Sequence, residues 1–373
     1  MAVVQAVVQA DVQADVQADV QAGAQASLQA TGAIYLHSSW RAASTYVWSK
    51  FRQRSDTYCY FEPLNEHLLT ATADVIDRFR PWSFANHPAL DAPYLEEFRH
   101  LIASSGGTSC SGIPGFPAHL TFGQYCATSD DSLPELEAYL ADLAKLASAR
   151  GRRPVYGFVR TDLRVGWFRK RMPGAHIFIR REPRRQFLSM LRQAVQGNPY
   201  FLQRGTVILR HNLEAPAFAP LLSALEYPTV ELPPVLSSSE LREAFRGKLV
   251  DESLLRRLYF IFYFMWLLAR QLGEPQCHLV IDIDRLSLDD SYRREVETRL
   301  GDLVGMAISF ADCRVERYDN HLDWSSSQFE TLERGIEALA GSGSLKKLGA
   351  CLRRSPSSDF HPSPINPKHS TSA

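Results

Sequence analysis

A short apolar run that passes through a turn of small residues into a helix constrains this chain more than any other stretch. Residues 33–36 read Ala-Ile-Tyr-Leu, which suits a buried strand, and residues 37–43 form a polar turn. Ser44 and Thr45 are placed to cap the helix that follows. Backbone N–H groups in such a turn, together with about half a positive charge at the helix N-terminus, favour a bound anion. The stretch therefore predicts a phosphate cradle.

Arg41 lies inside this turn, where a cation would meet the phosphate. The turn lacks the final Gly-Lys-Ser/Thr of a Walker A sequence, which is the most informative part of that motif. A nucleoside-triphosphate site of the usual kind is therefore not predicted.

Strand and helix patterns alternate along the rest of the chain. Further strands are predicted at 57–61, 153–160, 175–180 and 277–284. The main helical patterns cover 134–149, 184–194, 240–272, 289–300 and 324–340. This order predicts an α/β fold with a central parallel sheet flanked by helices, in a single domain with a P-loop NTPase-like nucleotide-binding topology.

The two ends of the chain differ in composition from its middle. Residues 1–31 are built on four-residue units such as VVQA and DVQA, and residues 341–373 are rich in Ser, Pro and Lys. Both compositions are typical of disordered segments, although a weak helix is the alternative for the leader. We therefore expect a low-complexity leader, an α/β domain over residues 32–340 and a disordered tail.

Overall composition argues against several classes of protein. The chain has 41 basic and 41 acidic residues, so its net charge gives no support for a nucleic-acid partner. Its six cysteines include no Cys-x-x-Cys pair, which argues against zinc or a redox pair and favours a reducing compartment. The longest apolar run, residues 258–269, is shorter than the roughly 20 residues that span a bilayer. Because no signal-peptide pattern is present, we expect a cytoplasmic protein without a membrane span; an interfacial helix at 258–269 is the less favoured alternative.

A local excess of positive charge marks the middle of the chain. Residues 151–195 contain 12 Lys or Arg against two acids, next to a predicted strand–helix junction. Such an excess in a neutral chain favours a bound anion, and a solvated basic face is the alternative.

Two of these segments, read together, resemble the donor-binding elements of sulfotransferases. Residues 34–51 resemble the family's 5′-phosphosulfate-binding loop, in which a Lys or Arg, small residues and a hydroxyl pair precede a helix. Residues 176–190 resemble its 3′-phosphate segment, where an Arg at the end of a strand is followed eight residues later by a Ser. Arg181 and Ser189 keep that spacing. A strand and helix at 279–305 also look similar to the late part of the family's domain.

The resemblance covers roughly residues 32–315 and implies a donor, a reaction and a set of roles. The donor is 3′-phosphoadenosine 5′-phosphosulfate (PAPS), whose sulfuryl group passes without a metal to a hydroxyl or amine acceptor. An Arg in place of the soluble branch's Lys resembles the carbohydrate and protein-tyrosine branch, so those acceptors are expected before small phenols. The 5′ end of the donor is assigned to Ser39, Arg41, Ala42, Ala43, Ser44 and Thr45, and its 3′-phosphate to Arg181 and Ser189. Arg41 would also stabilise charge on the oxygen that bridges phosphate and sulfate.

An acceptor hydroxyl must lose a proton, and several branches of the family use a Glu shortly after the cradle helix, or a His. Glu62, at the exit of the strand predicted at 57–61, is the preferred base, with Glu66 and His67 as alternatives. The usual Gly of the cradle is Ala43 here, which restricts the approach of the backbone to a phosphate. Two other hypotheses stay open: a phosphotransferase or NTPase with a divergent loop, and a non-catalytic nucleotide-binding protein on the same fold.

Overall fold

The structure is a computed structural model that describes residues 32–80, 90–104, 112–196, 198–235, 240, 252–315 and 326–342. The leader, residues 1–31, and most of the predicted tail, residues 343–373, lie outside the described residues. The predicted disorder of both ends therefore remains a prediction.

Five strands form the centre of the described fold. They are β1 (Ala33–Ser38), β2 (Thr57–Phe61), β3 (Arg153–Phe158), β4 (Gly174–Arg180) and β5 (Leu279–Asp282). All neighbouring pairs are parallel, and the order across the sheet is β2-β3-β1-β4-β5. In the central strand Ile34 and Leu36 are completely buried, as expected for a parallel sheet covered on both faces. The predicted α/β fold with a central parallel sheet is confirmed.

Twelve α-helices surround the sheet in the described part of the chain. They are α1 (Ser44–Arg52), α2 (Ala73–Arg78), α3 (Arg99–Ser104), α4 (Pro134–Ser148), α5 (Val165–Arg171), α6 (Pro183–Val195), α7 (Arg204–His211), α8 (Ala219–Ala224), α9 (Glu252–Leu268), α10 (Ile283–Leu288), α11 (Asp290–Val304) and α12 (Ser326–Ser342). None of the helices in this part of the chain has the length and apolar character needed to cross a bilayer.

Helices α1 and α4 cover opposite faces of the sheet. The Tyr156 hydroxyl donates a hydrogen bond to the Leu140 carbonyl of α4, at 3.0 Å. The next residue, Gly157, faces α1 so closely that a Cβ atom there would lie 2.8 Å from Cδ1 of Trp48. Because successive residues of a strand point to opposite faces, these contacts fix the two layers.

This layering positions a crevice at the end of β1. The chain leaves β1 into α1 on the Trp48 face. It leaves β3 towards α5 on the other face, where the Phe168 ring packs 5.0 Å from Phe158 and 6.1 Å from Tyr35, centroid to centroid. In open α/β sheets, ligands bind where neighbouring strands send their connections to opposite faces, beyond the carboxyl ends of the strands. The turn after Ser38 lies at such a point.

The last strand is shorter than its sequence pattern predicts. The alternation over residues 277–284 was read as one strand, but β5 ends at Asp282 and α10 begins at the next residue. The Asp282 side chain accepts a hydrogen bond from the Arg285 N–H at 3.1 Å and so caps that helix. The same carboxylate therefore closes the strand and starts the helix.

Candidate functional site

The turn between β1 and α1 holds two residues in the left-handed region. Arg41 has φ 65° and Ala43 has φ 61°, whereas Ala42 between them is buried and outside that region. Alternating right- and left-handed residues direct successive N–H groups into one concavity, which is a common anion-binding arrangement. A non-glycine residue pays about 1–2 kcal/mol for this conformation, so the turn is strained.

The start of α1 differs from the predicted cap. The N-cap residue is Ala43, and within the described residues no side chain caps the helix. Ser44 and Thr45 are the first two helical residues, so the prediction that they cap the helix was wrong. The reason is that the left-handed Ala43 takes the N-cap position, so the helix starts one residue earlier than it would behind a Ser44 cap. The first N–H groups of α1 thus lack a side-chain cap, and such a helix end can receive an anion.

The two segments singled out in the sequence lie in direct contact. The Arg41 Nε donates to Ser189 Oγ at 3.1 Å, and the Arg181 Nη1 donates to the Arg41 carbonyl at 3.4 Å. Gln186 also bridges the segments, because its Nε2 donates to Ser39 Oγ at 2.6 Å and to the Trp40 carbonyl at 2.7 Å. The residues at 39–45 and 181–189 therefore form one site at one edge of the sheet. Gln186 was not predicted, since its partners are distant in sequence.

Arg181 is held by groups from later elements. Its side chain is buried, and its Nε lies 3.8 Å from Asp284 Oδ1. Asp284, on α10, also accepts from the Glu182 N–H at 2.8 Å and from Arg185 Nη1 at 3.0 Å. The Trp266 Nε1 donates to the Arg181 carbonyl at 3.0 Å. Both the guanidinium and the backbone of Arg181 are thereby fixed.

The predicted positive charge of residues 151–195 is largely neutralised. Acids from the last third of the chain pair with its arginines: Arg180 with Glu274 and Asp282, Arg184 with Glu333, and Arg185 with Asp284. A charge count within one segment cannot include acids that the fold brings from elsewhere. The residues of this junction therefore do not form a general basic field, and Arg181 itself lies 3.8 Å from Asp284.

Glu62 has the geometry expected of a base that is held in place. Its backbone has φ 43°, a strained value for a non-glycine residue, and its N–H donates to the Gly157 carbonyl at 2.7 Å. Its Oε2 accepts from Asn65 Nδ2 at 3.0 Å and from Arg160 Nη1. Its Oε1 has no hydrogen-bond partner among the described residues. One oxygen is anchored and the other is open.

The two alternative bases are placed less favourably. Both oxygens of Glu66 are engaged, Oε2 by Arg160 and Oε1 by the Tyr200 hydroxyl. Burial acts to raise the pKa of Glu66, but the charges of Arg160 and Arg204 overcome it and lower that pKa to about 2. His67 is exposed, and its ring meets Phe79 edge-on at 5.2 Å. Of the three candidates, Glu62 alone combines an anchored and an open oxygen.

Arg160 connects the acids to the turn. It is fully buried, and its Cζ lies 5.2 Å from the ring centroid of Trp40, the neighbour of Arg41. Tyr200 bonds both Arg160 and Glu66, and the next residue, Phe201, places its ring 5.3 Å from Arg41 Cζ. Arg160 falls inside the strand predicted at 153–160, and that strand pattern carries no signal of this role. Because β3 ends at Phe158, Arg160 lies beyond the strand and contributes to the site.

A small cavity lies behind the turn. It has a volume of about 40 Å³ and is bordered by Ser39, Trp40 and Asp162, with aromatic and methionine side chains around them. Burial raises the pKa of Asp162 to about 7, and the Tyr125 hydroxyl donates to its Oδ1 at 2.7 Å. The space suits a few water molecules. An acid that titrates near neutrality therefore lies next to the cradle.

Comparisons with known proteins assign no family. No family model, curated protein or solved structure matches this chain. Among the residues that the structure describes, no group of three or more His, Cys, Asp or Glu side chains is arranged to hold a metal ion.

Proposed function

We propose that this chain is a sulfotransferase that moves a sulfuryl group from PAPS to a hydroxyl or amine acceptor, with carbohydrate or protein tyrosine favoured over small phenols. The observation that carries the proposal is the contact between the two resembling segments, through Arg41–Ser189 and Arg181–Arg41. A nucleotide with anionic groups at both its 5′ and 3′ ends needs both segments on one side of the sheet. The position of β1 in the middle of the sheet supports the finer proposal of a P-loop NTPase-like topology in one domain.

The turn supplies groups suited to the 5′ end of the donor. Backbone N–H groups of Ser39, Ala42 and Ala43, and the uncapped start of α1 with the Ser44 and Thr45 hydroxyls, match a phosphate. Arg41 matches the sulfate side, since a guanidinium forms paired hydrogen bonds with such oxygens. Arg181 and Ser189 match the 3′-phosphate.

The reaction uses a proton acceptor and a cation. Glu62 Oε1 takes the proton of the acceptor hydroxyl while that oxygen forms a bond to sulfur. The bond between sulfur and the bridging oxygen breaks, and the electron pair passes to the 5′-phosphate. Arg41 stabilises the charge that develops on that oxygen. The products are the sulfated acceptor and 3′-phosphoadenosine 5′-phosphate (PAP), with the proton left on Glu62 until it passes to water.

Thermal denaturation with nucleotides tests this function against its two rivals. In buffer with EDTA, PAP is expected to raise the melting temperature, because the proposed site holds both phosphates without a metal. Adenosine 5′-phosphate, which lacks the 3′-phosphate, is the matched control and should give a smaller shift. Stabilisation by ATP with Mg²⁺ alone would instead support a phosphotransferase or NTPase.

A shift with PAP but no transfer of labelled sulfate to any acceptor would support a non-catalytic binding protein. If none of these nucleotides raises the melting temperature, every nucleotide-based function for this fold is contradicted.

A further inference from the structure

The charged cluster beside Arg41 contains two acids and two bases: Glu62, Glu66, Arg160 and Arg204. We propose that this cluster selects an acceptor that is neutral or cationic, such as an uncharged polyol or an amino alcohol, and discriminates against acceptors that carry carboxylate, phosphate or sulfate groups. The inference rests on the proposed function, because it concerns the acceptor side of the same site. The two acids and two bases have no net charge, so the proposal rests on which of these side chains are exposed.

The carboxylates face outward and the main counter-charge lies behind them. The Glu66 side chain is 31% exposed and that of Glu62 is 13% exposed, whereas Arg160 is 1% exposed. Arg160 binds Glu62 through Nη1 and Glu66 through Nη2. One guanidinium therefore holds both carboxylates.

Aromatic rings cover the guanidinium groups. The Arg204 Cζ lies 3.2 Å from the ring centroid of Tyr200 and 5.3 Å from that of Phe122. Arg160 Cζ lies 5.7 Å from the same Phe122 ring and also faces Trp40. Cation–π contacts of this kind take up the faces of both guanidiniums. Of the four side chains Glu66 is the most exposed, at 31% against 13% for Arg204, so an incoming molecule meets its carboxylate first.

The carboxylate of Glu66, the most exposed side chain of the cluster, only accepts hydrogen bonds. The Arg160 and Arg204 charges overcome burial and keep the pKa of Glu66 near 2, so its carboxylate stays ionised at any working pH. An ionised carboxylate has no proton to donate. Hydroxyl and ammonium groups supply donors, whereas an acidic group supplies none and is repelled, at a cost of about tenfold in affinity at contact distance.

A charge-matched acceptor set tests the inference. Methyl hexosides and short tyrosine peptides are each offered in a neutral, a cationic and an acidic form, with labelled PAPS as donor, and initial rates are compared. The neutral and cationic forms of whichever scaffold is used should be sulfated about tenfold faster than its acidic form. Equal or faster transfer to the acidic form would overturn the inference and leave the sulfotransferase standing. No transfer to any form would count against the sulfotransferase itself.

A variant tests the role of Glu66 directly. Glu66→Gln removes the outward charge, so the ratio of rates with the neutral and the acidic acceptor should fall from about ten to about one, whatever the absolute rate. Glu295→Gln, on the exposed face of α11, removes the same charge elsewhere and should leave the preference unchanged. Tyr200→Phe removes one partner of Glu66 but keeps its carboxylate, so the preference should persist. A preference that survives Glu66→Gln in folded protein would contradict the proposal.

Discussion

Arg41 is constrained from three sides. Its Nε donates to Ser189, its carbonyl accepts from Arg181, and its guanidinium carbon lies 5.3 Å from the Phe201 ring centroid. Its backbone is left-handed at φ 65°. A side chain held in this way is positioned before a ligand arrives, which is what electrostatic stabilisation of a transition state requires.

Replacing Arg41 with Ala should lower the rate of sulfuryl transfer by about 10²–10³-fold, the usual effect of losing one such donor. The melting temperature should change little, because the side chain is only half-buried. Initial rates with labelled donor give the result. Arg54→Ala, at a partly exposed arginine paired with Asp56, is the matched control and should keep full activity. Normal turnover in Arg41→Ala would remove the residue from the mechanism.

Replacing Glu62 with Gln should lower turnover by about 10²–10⁴-fold, the range for loss of a general base. PAP binding should be unchanged, since Glu62 acts on the acceptor. Calorimetry for PAP and rate assays with a neutral acceptor separate the two effects. Glu295→Gln, an exposed glutamate of α11, is the matched control and should keep full turnover, and normal turnover in Glu62→Gln would show that Glu62 is not the base.

Replacing Ala43 with Gly should stabilise the fold by about 1 kcal/mol, because Gly adopts φ 61° without the steric cost that Ala bears. For a chain of this size the melting temperature should rise by about 2–4 °C. Ala42→Gly, at the neighbouring position with ordinary backbone angles, should lower it. A fall in melting temperature for Ala43→Gly would contradict the strained turn.

At the scale of elements, the junction between β4 and α6 meets the turn after β1. Arg181 lies directly after β4, Ser189 lies two turns into α6, and Gln186 points back to Ser39 and Trp40. Asp284 from α10 fixes Arg181 from behind. The segments that follow β1, β4 and β5, three neighbouring strands of the sheet, therefore build one site.

Arg181→Ala should reduce the preference for PAP over adenosine 5′-phosphate, because the missing guanidinium is assigned to the 3′-phosphate. A loss of about tenfold in that ratio is expected from one charge-assisted hydrogen bond. Calorimetric titration with both nucleotides measures it. Arg294→Ala, on an exposed face of α11, should leave the ratio unchanged. An unaltered ratio in Arg181→Ala would place the 3′-phosphate elsewhere.

Elements with strong local patterns were predictable from the sequence. The strand at 57–61 has the predicted bounds, and α4 and α6 differ from prediction by one residue at their ends. Apolar and aromatic runs between turn residues carry that information locally. The end of β5 was missed because the pattern over 277–284 alternates like a strand while Asp282 acts as a helix cap.

The site was only partly predictable, because its remaining parts are made by contacts across the chain. Arg160 looked like a strand residue and gains its role from Glu62 and Glu66, which lie 98 and 94 positions away. Gln186 has its partners 147 and 146 positions away. Pairings at such separations leave no periodic signal in a single sequence.

At the scale of the whole molecule, a chain of three histidines crosses the sheet, of which His37 and His176 are buried and His278 is partly buried. His37 Nε2 lies 3.0 Å from His176 Nδ1, and His176 Nε2 lies 2.9 Å from the Met172 carbonyl. The backbone N–H of His176 in turn donates to His278 Nδ1 at 3.0 Å. Burial lowers the pKa of His176 to about 3 and that of His278 to about 4, and lowers the pKa of His37 well below its usual range. All three are neutral in the folded protein.

These histidines should make folding stability depend on pH below about 6.5. Above that value both states are neutral; below it the unfolded chain takes up protons that the fold excludes, at up to about 1.4 kcal/mol per pH unit for each histidine. Burial raises the pKa of Asp162 and of Glu97 to about 7, so these two carboxyl groups make the fold more stable as the pH falls. The change in the free energy of unfolding with pH must therefore be compared between wild type and variants.

Urea unfolding of wild type and His176→Gln from pH 7.5 to 4.5 isolates this contribution. The variant should be less stable at pH 7.5 but should lose less additional stability on acidification. His119→Gln, an exposed histidine, should follow the wild type. If the free energy of unfolding of wild type and of His176→Gln changes in parallel with pH, the fold does not hold His176 neutral.

The proposed function requires one molecule to touch both the turn at 39–45 and the junction at 181–189. Calorimetric titration in EDTA with PAP, adenosine 5′-phosphate and adenosine 3′-phosphate measures this directly. PAP is predicted to bind at least about tenfold more tightly than either monophosphate, because it alone engages both segments at once. Equal affinity for PAP and a monophosphate, or binding of none of the three, would contradict it.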